Sequence, residues 1–284
     1  MVSVFGDDSE DETKQRVFAV AGVIATEKEW ERLESEWKDR TGNVPFHATD
    51  CESNHGDYTK NSNAENKNLY RDLTQMLAKS EAFGFGVALD LAGHRRFCPG
   101  VPHEYCYHRA FIDVVLAMRN IAKAHFGDSV KFTFDTRVES KSSSGILYGL
   151  IVEEEAHTEP ISHLFEELSF ACSKKQPRIQ VGDLLARETM KDLDNVVGPK
   201  RRPRRKSMDA LVESGRFFFR NYYAEWFSRV GQLMPGLELA MGTSYLQYLR
   251  WLSDSKLVDN PTNRFRYLSR VAQAQSFRFN FPPS

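Results

Sequence analysis

From Val17 to Ala25 the chain reads Val-Phe-Ala-Val-Ala-Gly-Val-Ile-Ala, without one polar side chain. A run of this length rich in β-branched residues is a strand, and apolar side chains at every position require cover on both faces. Just upstream, Val2-Ser3-Val4-Phe5-Gly6-Asp7-Asp8-Ser9 is a second apolar run that ends in two adjacent carboxylates. The polar, acid-rich link from Ser9 to Gln15 joins the two as an antiparallel hairpin. Carboxylates at the mouth of a buried strand are costly unless a cation, a proton or an exposed turn meets them.

The following segments alternate helix and strand. Thr26 with Glu29 forms a capping-box pattern, and Trp30, Leu33 and Trp37 share one helical face. Val44 to Tyr58 is read as a loop dense in potential ligands, including His47, Asp50, Cys51 and His55. A helix with the stripe Leu69, Leu73, Met76 and Leu77 leads to a strand from Phe83 to Leu91, and a long helix runs from about His103 to His125. Val130 to Asp135 is a strand that also stops at an acid. A helix from Ser142 to about Glu155, a strand from Phe165 to Cys172 and a helix begun by Pro177 complete the alternation.

Strands of one sheet that run parallel present their carboxyl ends at a common edge. Asp7 or Asp8 meets Asp135 there if their strands are neighbours, and the Pro177 helix brings Asp183 to the same edge. On that helix Gln180, Asp183 and Arg187 share one face. Three converging carboxylates repel unless divalent cations intervene, and Mg²⁺ or Mn²⁺ suits such an all-oxygen set. Two such ions about 4 Å apart support in-line phosphodiester hydrolysis.

Several short phrases resemble one family. Phe5-Gly6-Asp7-Asp8-Ser9, Phe46-His47-Ala48-Thr49-Asp50 and Gln180-Val181-Gly182-Asp183-Leu184-Leu185-Ala186 are similar to recurrent pieces of the bacterial and phage family known as domain of unknown function 3800. Asp135 stands where that family's mid-chain strand aspartate falls. The resemblance covers Val2 to Asp194 and implies an α/β fold, a ribonuclease-H-like mixed five-stranded sheet flanked by helices. It also implies a metal site, and places His47 and Asp50 near it as a proton carrier or fourth ligand. Asp8 stands where the family often has glutamate, and Gly182 where it often has alanine.

Beyond the resemblance, Lys200-Arg201-Arg202-Pro203-Arg204-Arg205-Lys206 packs six cations into seven residues. It reads as an exposed, mobile linker or as a surface that contacts phosphates together with Gln180 and Arg187. Residues 207–284 read as an aromatic α-helical extension, a candidate surface for a homodimer or protein partner. The expected organisation is therefore a domain at 1–198, a basic linker at 199–206 and the extension at 207–284. With 41% apolar and 27% charged residues among 284 and a net charge of −1, global composition marks neither nucleic acid nor membrane. No leader or apolar span is read, and four cysteines without a secretory signal read as reduced thiols of a cytoplasmic protein. Neither His47-Cys51-His55 nor the Cys98, His103, Cys106 and His108 group has the paired spacing of a zinc site. The expected function is a Mg²⁺- or Mn²⁺-dependent nuclease with Asp7, Asp135 and Asp183 as ligands and Asp8 beside them. The alternative is a nucleic-acid- or partner-binding protein of the same fold without turnover, or an effector subunit of a defence or mobile-element system.

Overall fold

The computed structural model describes residues 2–99, 104–127, 129–136, 165–229 and a few positions besides, namely 144–145, 148–149, 151–152, 251, 254–257, 263 and 266–267. Strands β1 (Val2–Glu10), β2 (Val17–Thr26), β3 (Phe83–Asp90), β4 (Val130–Asp135), β5 (Phe165–Ala171) and β6 (Phe217–Tyr222) form one sheet in the order β5-β4-β1-β2-β3-β6. β2 is antiparallel to β1 and β3, whereas β4 runs parallel to β1, β5 parallel to β4 and β6 parallel to β3. The antiparallel hairpin is as expected, although β1 does not end at Asp7 and Asp8 but pairs with β2 as far as Glu10, and β2 is buried on both faces apart from its last residue.

The hairpin turn is organised by Asp11. Its carboxylate accepts hydrogen bonds from the backbone of Thr13, Gln15, Arg16 and Val17, at 3.1, 3.0, 2.7 and 3.0 Å. Desolvation alone would raise this carboxyl, but the hydrogen bonds from Thr13, Val17 and Arg16 outweigh it and hold the group at about 2.

Helices cover both faces. On one, α1 (Glu27–Thr41), α2 (Ala48–Ser53), a 3₁₀ turn (Gly56–Lys60) and α3 (Asn63–Lys79) gather with α6 (Pro177–Val197). Their core holds Phe5, Val23, Trp30, Leu33, Trp37, Leu73, Leu77 and Leu184. Each leucine so buried contributes roughly 2 kcal/mol of transfer free energy. Thr26 caps α1 by accepting the Glu29 N–H, and the Trp30 indole N–H donates to the Ser3 carbonyl at 2.9 Å. Helix α4 (Leu91–Phe97) follows β3, and α5 (Glu104–Ile121) continues into a π-helical turn at Ala122–Phe126. α5 lies on the opposite face, where Val114 and Met118 reach the space above Gly22 beside Val4. The expected helix from Ser142 to Glu155 falls largely outside the described residues, although 144–145, 148–149 and 151–152 are helical.

Three expectations change. Val44 to Tyr58 is not a bare loop, because Phe46, Ala48, Cys51 and Tyr58 are buried and fold it into α2 and the 3₁₀ turn. The sheet has six strands, since Phe217–Tyr222 is a strand rather than a helix. The aromatic, β-prone segment adds to the free edge of β3, and its Tyr222 hydroxyl accepts from Arg109 at 2.8 Å and donates to Asp113. Finally, the chain divides into two compact units, Met1–Ala92 with His103–Tyr223, and Gly93–Pro102 with Ala224–Ser284. The first therefore runs past residue 198 and takes in helix α7 (Lys206–Glu213) and β6. In the second, the His94 ring meets Phe227 edge-on at 5.3 Å. Most of the expected C-terminal helices lie outside the described residues. Among the described residues no helix is long and apolar enough to cross a membrane.

Candidate metal centre

Pleat and register decide which acids meet. Phe5 points into the core beneath α1 and α6, while Val4 faces α5. Alternation along β1 therefore sends Asp7 to the α6 face and Asp8 to the other. Gly6 pairs with Phe134, so Asp135 comes level with Asp7. Phe134 packs on Phe111 of α5, which turns Asp135, like Asp7, toward α6.

Helix α6 reaches this edge because two glycines let it. A Cβ on Gly182 would stand 2.9 Å from the Gly6 Cα and 3.1 Å from the Phe5 carbonyl oxygen. Backbone cannot yield as a flexible side chain does. Gly182 is thus the point at which helix and strand touch, and the next residue, Asp183, is set against Asp7.

The electrostatics follow from this convergence. Burial, then the charges of Asp183, Asp8 and Asp135, hold the Asp7 carboxyl well above the usual carboxylate range. Burial also raises Asp183, against the lowering effect of His47, the Ala48 N–H and Arg187. Asp183 is only 4% exposed, and its Oδ2 accepts the Ala48 N–H at 2.7 Å. Asp135 Oδ1 accepts the Thr136 and Ser173 N–H groups at 2.7 and 3.2 Å, and its Oδ2 accepts the Ser173 hydroxyl at 3.4 Å. His47 precedes α2, largely exposed, with Nδ1 at 3.3 Å from Asp50 Oδ2.

No family model matches the chain, and no curated protein is similar to it. The site therefore stands on its own geometry. Asp7, Asp135 and Asp183 come together on one face of one edge, and His47 with Asp50 adjoins them. Asp8 is adjacent but lies across the pleat. The donors are all carboxylate oxygens, and burial together with neighbouring acids raises Asp7 and Asp183, which is the charge and chemistry that a hard divalent ion matches. Among the described residues no three His, Cys, Asp or Glu side chains are already drawn into a metal-binding group. The fit rests on charge and donor type.

Two expected nucleic-acid contacts are redirected inward. Gln180 is buried, with Oε1 accepting from the Trp37 indole at 3.2 Å and the Phe46 N–H at 2.9 Å, while its amide nitrogen donates to the Ser173 carbonyl at 3.0 Å. It ties α1, the approach to α2 and the Ser173 loop to one helix. Arg187 is likewise buried and pairs with Glu52 at 2.6 Å. Glu52, expected as one of the potential ligands of the Val44–Tyr58 loop, instead holds Arg187 and Arg205. Ser173 was not singled out from sequence; its only local signal was a hydroxyl just past the mouth of a parallel strand. Cys51, on the core side of α2, donates its thiol toward the Asn66 carbonyl, and burial pushes it up to about 12. It is a packing residue.

Proposed function

We propose that this protein is a divalent-metal-dependent nuclease of ribonuclease-H-like fold, resembling the domain of unknown function 3800 family, and acting in the cytoplasm. The observation that carries the reading is the convergence of Asp7, Asp135 and Asp183. They come from a first strand, a mid-chain strand and a late helix, yet share one face closely enough that Asp135 and Asp183 each raise the Asp7 carboxyl. The mixed sheet, with β1 next to a parallel β4, supports the fold reading.

In this reading Asp7, Asp135 and Asp183 hold Mg²⁺ or Mn²⁺. Bound there, the metal lowers the pKa of water and stabilises the leaving oxygen of a phosphodiester. The chain's own residues do the rest. The Ala48 N–H fixes Asp183, Ser173 fixes Asp135, and His47, oriented by Asp50, carries a proton at the solvent side. Asp8 stays across the pleat as a charge neighbour of Asp7.

The test incubates labelled single-stranded, duplex and hybrid substrates with Mg²⁺, Mn²⁺ or chelator, beside Asp135→Asn and Asp183→Asn. Metal-dependent cleavage lost in both variants is expected. Binding of nucleic acid with no cleavage of any substrate, unchanged by either variant, makes it a binding protein instead.

A further inference from the structure

The same helix that presents Asp183 also anchors the basic segment. Arg204 pairs with Asp192 of α6 at 3.0 Å, and Arg205 pairs with Glu188 of α6 at 3.3 Å and with Glu52 of α2 at 3.0 Å. Arg205 also lies over the Tyr70 ring, 5.1 Å from its centroid. The backbone is held too, since the Arg202 N–H donates to the Asn195 carbonyl at 2.9 Å and the Asn195 amide donates to the Pro203 carbonyl at 3.3 Å. The segment expected to be a mobile linker is pinned along its length.

Pinning uses only some of the cations. Lys200, Arg201, Arg202 and Lys206 are exposed, and their side chains pair with no carboxylate among the described residues. Helix α2 links this surface to the acids, because Ala48 at its start donates to Asp183 and Glu52, four residues on, holds Arg205. At 1.5 Å of rise per residue those two anchor points are about 6 Å apart along the helix.

We propose that residues 200–206 form a fixed track for the phosphodiester backbone of a nucleic-acid strand, held beside the acid cluster by Glu52, Glu188 and Asp192. This rests on the nuclease reading and adds where the substrate strand lies. A succession of solvent-facing cations leading into helix α7 matches a succession of phosphates, and arginine forks bind phosphate oxygens in pairs. A membrane surface is a poorer match, since the track offers no apolar face to insert. A free coil would lose entropy on ordering; a pinned one has already lost it.

Binding of a labelled single-stranded oligonucleotide is measured in chelator, where nothing is cut, across a salt series. The variant Lys200→Ala/Arg201→Ala/Arg202→Ala is compared with Lys60→Ala/Lys67→Ala/Lys79→Ala, which removes equal charge from other exposed positions. The expected result is at least a tenfold loss of affinity in the first variant only, with the log–log salt slope shallower by about two, at roughly 0.7 per single-strand phosphate. Equal behaviour of the two variants overturns the track. So does binding of polyglutamate or phosphatidylserine vesicles in place of the oligonucleotide. Cleavage by the parent with unchanged binding by the first variant refutes the track alone. Binding that depends on the track, with no cleavage in any metal, refutes the nuclease alone.

Discussion

Asp7 and Asp183 invert the usual pH behaviour of a carboxylate in a folded protein. Their folded pKa values are raised above the ordinary 3.8, so the native state holds protons that the unfolded chain has released. Stability contributed by the protonated forms is full below 3.8, falls as pH rises through the raised values, and stays low above them. Asp7→Asn is therefore expected to melt a few degrees higher than the parent at neutral pH in chelator, with the gap closing toward about pH 4. Added Mn²⁺ should stabilise the parent and leave the variant unmoved; thermal melts over that range check both. Asp11 behaves oppositely. Its carboxyl is lowered to about 2, so its contribution is complete above 3.8 and is lost as pH falls through about 2. Asp11→Ala should cost about 2 kcal/mol near pH 7, read by denaturant unfolding, and much less in strong acid. Gly182→Ala tests the helix contact. With a methyl 2.9 Å from the Gly6 Cα, it should cost roughly 1–3 kcal/mol despite alanine's better helix propensity, and weaken metal binding as Asp183 shifts away from Asp7.

At the scale of elements, what was legible in the sequence was what is local. The double-faced apolar run of β2, the Thr26 cap, the Trp30-Leu33-Trp37 stripe and the strand that stops at Asp135 all announce themselves within ten residues or so, whereas β1 does not stop at its acids but pairs on to Glu10. Two features were not legible because their partners are remote. The cations from Arg204 to Arg205 look solvated until Asp192, Glu188 and Glu52 are seen to receive them. Phe217 to Tyr222 has aromatic residues enough for either a helix or a strand, and only the free edge of β3 decides between them. Gln180 is a third case, since a polar residue on the face shared with Asp183 reads as a ligand contact while its partners Trp37, Phe46 and Ser173 lie on other segments. The pinned segment gives a further prediction. Trypsin should cut slowly after Arg204 and Arg205 in the native protein, and several times faster in Asp192→Asn, as followed by mass spectrometry of the early fragments.

At the scale of the molecule, the first compact unit runs past the domain expected at 1–198 and takes in His103–Tyr223. Ending the chain at residue 198 would remove α7 and β6, uncover the edge of β3 and strip Glu188 of Arg205 and Ser207. Such a chain should melt without the cooperative transition expected of the full chain, as thermal scans of the two would check. Helix α6 is what makes this inclusive unit necessary. Asp183 stands on it with its oxygen on α2, and Glu188 and Asp192 on the same rod hold the basic segment. The separation and angular phase between the acids and the basic segment are then set by one helical count. A single residue inserted between Asp183 and Glu188 would turn one half against the other by about 100°. Each half could keep its own contacts only by giving up the alignment with its counterpart, so α6 acts as a gauge whose length cannot drift.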